Sequence, residues 1–144
     1  MKTYDPRKYD LIFAGVHLNE GIADGTFLTL SSVGPGFTSK AGVDGEVTRT
    51  RMHDTRYTAR LVLMQTSEVN DRLSTIYAAD RAATNGQGVG VFFVQDRAGT
   101  TVLEAAKAYI ADDPDVTLDM EASTREWLFE LTGTTMTHGS NPDD

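Results

Sequence analysis

At 144 residues, with 40% hydrophobic and 24% charged side chains, the sequence has the composition of one soluble globular domain, long enough to bury roughly 68–70% of the surface its unfolded chain would expose. The absence of cysteine excludes disulfides, thiolate metal sites and thiol nucleophiles. A formal charge of −8 and a pI near 4.7 argue against ordinary phosphate-backbone binding, which needs a concentrated basic surface, and no apolar run reaches the ~20 residues that cross a bilayer.

The N-terminal MKTYDPRKYD lacks the apolar segment of a secretion signal, which points to the cytoplasm or to export by another route. Lys8 to Leu18 reads as a first strand, with Tyr9, Leu11 and Phe13 on one face and Ile12, Ala14, Val16 and Leu18 on the other. Asn19-Glu20-Gly21 is a turn, and Ile22 to Leu30 a second strand in which Asp24-Gly25 is either a tight turn or a bulge. From Ser31 to about Thr55 the pattern fails. Gly34, Pro35, Gly36, Gly42 and Gly45 leave few apolar side chains, so this is a long arm, either a partner-binding element or a flexible liability. Weak alternation over Glu46 to Met52 is compatible with a hairpin that extends the next strand outward.

Tyr57 to Met64 is the clearest strand, with Tyr57, Ala59, Leu61 and Leu63 on a uniformly apolar side. The period then switches from two to 3.6. Thr66 or Ser67 caps a helix over Glu68 to Ala83, whose apolar stripe is Val69, Leu73, Ile76, Tyr77 and Ala83, and Asn85-Gly86 supplies a left-handed cap. Val89 to Gln95 is a strand, Asp96 to Gly99 a turn, and Thr100 to Ile110 a strand or pair of short strands around Ala105-Ala106. A turn at Asp112-Asp113-Pro114-Asp115 leads to an edge strand at Val116 to Met120. Arg125 to Thr132 is the last strand, with Trp127, Phe129 and Leu131 facing inward, and residues 133–144 form a polar C-terminal tail. The sum is a mainly β protein, an antiparallel β-sandwich or barrel with one flanking α-helix and a long inter-strand arm.

Catalytic and metal chemistry find little support. His17, His53 and His138 have no second histidine at metal-ligand spacing, and His53-Asp54 lacks an accompanying nucleophile motif. In Gly86-Gln87-Gly88-Val89-Gly90 the glycines follow a helix and lead into a strand, the reverse of a dinucleotide fingerprint. Asp112, Asp113, Asp115, Asp119 and Glu121 do not have EF-hand spacing. Arg49, Arg51, Arg56 and Arg60 read either as a solvated face or as charges that pair with an acidic neighbouring subunit.

Five stretches, in the same order over nearly the whole chain, carry a resemblance: Ala23-Asp24-Gly25-Thr26-Phe27, Gly42-Val43-Asp44-Gly45-Glu46-Val47, Leu63-Met64-Gln65-Thr66-Ser67 leading to Asn70-Asp71 and Leu73, Gly99-Thr100-Thr101, and Glu121-Ala122-Ser123-Thr124-Arg125-Glu126-Trp127. Together they resemble the tail tube proteins of contractile-tailed bacteriophages. The resemblance implies a non-enzymatic, cofactor-free structural subunit of the virion tail, assembled in the host bacterial cytoplasm, with residues 1–144 one tail-tube-like domain. Six copies would form a ring, and rings would stack into a hollow tube through which DNA passes without being retained. Its partners would be further copies of itself, the tail sheath, the tape measure protein and baseplate or terminator proteins, with no membrane insertion.

On this reading residues 31–55 are an assembly arm contacting a neighbour through Phe37, Lys40, Val43, Asp44, Glu46, Arg49 and Arg51. Six chains of charge −8 put −48 on a ring, and Glu46, Glu126 and Glu130 are the candidates to line the lumen. Two alternatives stand beside this: the inner tube of a related contractile injection system, and a small β-sandwich binding module with Trp127 and Tyr57 as its platform.

Overall fold

The computed structural model describes residues 1–140. After a 3-10 turn at Pro6–Lys8 the elements are β1 (Tyr9–Phe13), β2 (Val16–His17), β3 (Leu28–Ser32), β4 (Phe37–Ala41), β5 (Val47–Arg51), β6 (Tyr57–Met64), α1 (Val69–Ala82), β7 (Gly90–Asp96), β8 (Val102–Asp112) and β9 (Thr124–Thr137). Seven strands form one antiparallel sheet in the order β2-β1-β7-β8-β9-β6-β3, and β4 pairs with β5 in a separate hairpin.

The sheet does not close into a barrel, but it curls. Neighbouring strands lie about 4.8 Å apart, so β1 and β3, five places apart, would be roughly 24 Å from each other in a flat sheet. Instead Tyr9 and Leu11 of β1 line the same 350 Å³ cavity as Leu28 and Leu30 of β3. The two ends of the sheet have folded towards each other into a sandwich-like body. Inside it, the rings of Phe13, Phe92 and Phe129 meet at 5.0 to 6.2 Å between centroids, and Leu11, Leu61, Leu63, Val94, Leu103 and Leu131 fill the space around them. The helix lays Val69 and Leu73 on this core, with Ile76 and Tyr77 half-buried beside them. Ala83 follows the helix instead of belonging to its stripe.

Several expected boundaries change, each for a local reason. The first strand is a hairpin: Ala14 and Gly15 both take positive φ (50° and 84°), a two-residue turn that returns Val16 against Phe13 and lets Leu18 bury beside Leu11. The second is a bulged run: the Ala23 and Phe27 backbones both bond to Val62, so Asp24-Gly25 loops out, and regular pairing begins only at Leu28. Gly86, at φ 69°, lies beyond the helix end, and the N–H of Ala83 bonds to the Ala79 carbonyl there. Strand β8 is continuous, with consecutive Ala106 and Lys107 exposed where its register with β7 shifts; opposite them Gly133, at φ 61°, kinks β9.

Two expectations are overturned. Residues Val116 to Met120 form no strand; the stretch is exposed, and it joins no described ladder. The polar tail does not begin at Gly133, because β9 runs to Thr137 against Val102 and the backbones of Gly139 and Ser140 are then bonded to Thr100 and Thr101. The remainder of that expected tail, residues 141–144, lies outside the described residues.

Candidate assembly surface

The arm is a second hairpin hung on the first. The β3–β6 ladder runs from Leu28↔Leu61 to Ser32↔Tyr57, the Val33 N–H adds a bond to the Arg56 carbonyl, and the Met52 N–H bonds to Gly36 across a break at Gly34–Gly36. Beyond the break β4 and β5 pair from Phe37↔Arg51 to Ala41↔Val47. Their tip is built from Gly42 to Glu46: the Gly42 N–H bonds to the Glu46 carbonyl, Asp44 Oδ1 accepts from the Glu46 N–H, and Gly45 takes φ 86°. Every residue of β4 and β5 is exposed.

All seven expected contact residues fall on this hairpin: Phe37 and Lys40 on β4, Val43, Asp44 and Glu46 at the tip, Arg49 and Arg51 on β5. The pairing puts Phe37, Ala41, Val47, Arg49 and Arg51 on one face and Lys40 with the threonines on the other. The Arg49 guanidinium lies 4.4 Å from the Phe37 ring centroid and that of Arg51 5.8 Å, an exposed stack on the order of 0.5–1 kcal/mol. At the root, Arg56 clamps Asp54 through Nε and Nη2 at 2.9 and 2.8 Å. Those side-chain bonds, helped by the Arg56 N–H, hold the Asp54 carboxyl down to about 2.

The three expected lumen acids are not together. Glu126 and Glu130 share the outer face of β9, whereas Glu46 sits on the separate hairpin. Nor are the two sheet acids free: Arg60 bonds Glu126 at 3.0 Å and Arg56 approaches Glu130 at 3.7 Å. The polar face of the sheet is therefore mixed in charge. Sequence reasoning missed these pairs because they depend on the β6–β9 register, not on local spacing.

Trp127 is no exposed platform. It is buried, and its Nε1–H donates to Asn70 Oδ1 at 2.9 Å while Asn70 Nδ2 donates to the Met64 carbonyl, tying the helix to the sheet. Asn70 carried no chemical signal of that role in the sequence. The three histidines are exposed on β2, after β5 and after β9, and among the described residues no group of three His, Asp or Glu is placed to share a metal ion.

Comparison with known proteins adds to this geometry. The family model described as Bacteriophage PhiTE tail tube protein matches residues 17–138. Structural protein ORF10 of Pseudomonas phage KPP10 is similar at 28% identity, over 96% of this chain and 83% of that one. Among solved structures, the fold is similar to a chain of the virion of a native gene transfer agent particle (TM-score 0.57, 9% identity, 94% of this chain and 100% of that one). It is also similar to the tube terminating cap of the anti-feeding prophage (0.57, 7%, 95% and 92%) and to the sheath/tube terminator of the extracellular contractile injection system PVC (0.54, 11%, 96% and 99%). At these identities the structural likenesses are of fold.

Proposed function

The chain belongs to the bacteriophage PhiTE tail tube protein family, and from that premise we propose that it closes into hexameric rings stacked as the inner tube of a contractile tail, a channel for genome delivery. The observation that carries this is the β4–β5 hairpin, which has no buried residue and gains nothing from its own subunit. An isolated two-stranded hairpin is marginal in water, and a second chain laid against it supplies what it lacks. The open edges β2 and β3 support the same reading, since a head-to-tail interface that joins edges closes into a ring.

In this assembly residues 31–55 are the arm that reaches a neighbour, with Phe37, Lys40, Val43, Asp44, Glu46, Arg49 and Arg51 as its contacts. The outer face bearing Glu126 and Glu130 is turned to the lumen, where its paired arginines temper the repulsion of passing DNA. The sheath surrounds the tube in the virion, the tape measure protein occupies it during assembly, and terminator and baseplate proteins end it. The inner tube of an injection machine is the second reading, favoured by the fold it shares with the anti-feeding prophage cap and the PVC terminator. Particles that carry this subunit and contain DNA decide for the phage tail.

Negative-stain microscopy of concentrated protein is the test. Rings or tubes are expected, and removal of residues 34–50 leaves a folded subunit that no longer polymerises. Tubes formed normally without that segment would refute the arm's part; a monomer at every concentration and ionic strength would refute assembly itself.

A further inference from the structure

The stretch that begins at the last residue of β8 and runs on from it is rich in acidic and exposed apolar side chains. From Asp112 to Glu121 it holds five carboxylates and no lysine or arginine. Between them Val116, Leu118 and Met120 recur at strand period and are 70%, 80% and 100% exposed. One end is anchored: the Ser123 Oγ–H donates to the Thr117 carbonyl, and Ser123 and Gln65 exchange bonds that fix the loop to the end of β6. Between this anchored loop and the outer face of the sheet lies an open cleft of 470 Å³ bordered by Asp112, Asp113 and Asp115 on the loop side and by the Arg60–Glu126 pair on the sheet. Anchored at one end, apolar at Val116, Leu118 and Met120 and polar between them, with Asp115, Thr117, Asp119 and Glu121, the segment is an exposed surface that joins no described ladder.

The same chain carries its complement. The β4–β5 face that bears Phe37, Ala41 and Val47 also bears Arg49 and Arg51. Among the described residues neither arginine, nor Lys40, makes an ion pair. We propose that this hairpin face of one subunit docks on the 112–121 segment of a second copy, Arg49 and Arg51 against Asp112, Asp113 and Asp115, and Phe37 and Val47 against Val116 and Leu118. The proposal rests on the self-assembly argued above and names its receiving surface. Donor and acceptor occupy different places on one subunit, so the contact is heterologous and repeats from copy to copy. Exposed charge pairs steer and register such a contact, and the apolar residues exclude water from it.

Reversal of both charges tests this. Arg49→Asp with Arg51→Asp is one variant, Asp113→Arg with Asp115→Arg the other; all four side chains are exposed, so both variants are expected to melt as wild type does. Neither should form tubes alone at a concentration where wild type does, and an equimolar mixture should, because each reversed surface then meets its opposite. Either variant polymerising normally alone, or a mixture that stays dispersed, would overturn the docking. If wild type itself stays monomeric, the assembly reading fails first, which keeps the two failures apart. A charge-neutral variant, Val116→Ser with Leu118→Ser, should raise the wild-type critical concentration about tenfold or more, and an unchanged value would also count against the contact.

Discussion

The sheet body and the β4–β5 hairpin are both antiparallel β structure, yet they are stabilised in opposite ways. In the body β1, β6, β7 and β9 bury alternate residues, and Phe13, Phe92 and Phe129 meet inside the curled sheet. In the hairpin the alternation sorts chemistry instead of burial, with Phe37, Ala41, Val47 and the two arginines on one face and the threonines with Lys40 on the other, all in water. On the proposed assembly this separates folding from association: the body folds on its own core, and the hairpin would be completed by another chain.

Three perturbations should break or sharpen that contrast. Phe129→Ala removes the ring at the centre of the core and is expected to cost about 3–5 kcal/mol in urea melts, enough to unfold most of a marginal domain. Asn70→Ala leaves the Trp127 N–H and the Met64 carbonyl without their partner, for about 1–3 kcal/mol, and should lower the melting temperature with no change in the hairpin's own NMR signals. Asp54→Asn should leave the body's stability almost untouched and loosen only the root of the arm. Because the folded pKa of Asp54 lies below its free value, the Arg56 clamp adds stability above the carboxylate range and loses it as pH falls through about 2. A carboxyl titration by NMR should place that midpoint near 2; a midpoint near 4 would mean the clamp is not formed in solution.

What was legible in the sequence was what a short window can hold. β6, β7 and the helix stand out through uninterrupted period, and the family motifs in register pointed to the tube. The Ala14-Gly15 turn was hidden because apolar residues continue on both sides of it, and a non-glycine residue at φ 50° is rare enough to be passed over. Val116, Leu118 and Met120 misled for a related reason: alternation reports that a residue run suits a strand, not that a partner strand exists. The Arg60–Glu126 and Trp127–Asn70 contacts join residues 66 and 57 positions apart, and only the closed fold brings them together. The seven arm residues lie on one hairpin, but which of them share a face depends on the Phe37↔Arg51 register.

The chain has one tryptophan, and its indole stands at a junction. Trp127, on β9, is buried and bonded to the helix, and it borders the cleft formed with Pro114 and Val116. Its fluorescence is thus a label-free probe placed beside the loop that a neighbouring copy would cover. A shift in emission on polymerisation, without the red shift of unfolding, would follow tube growth in real time from a single native fluorophore.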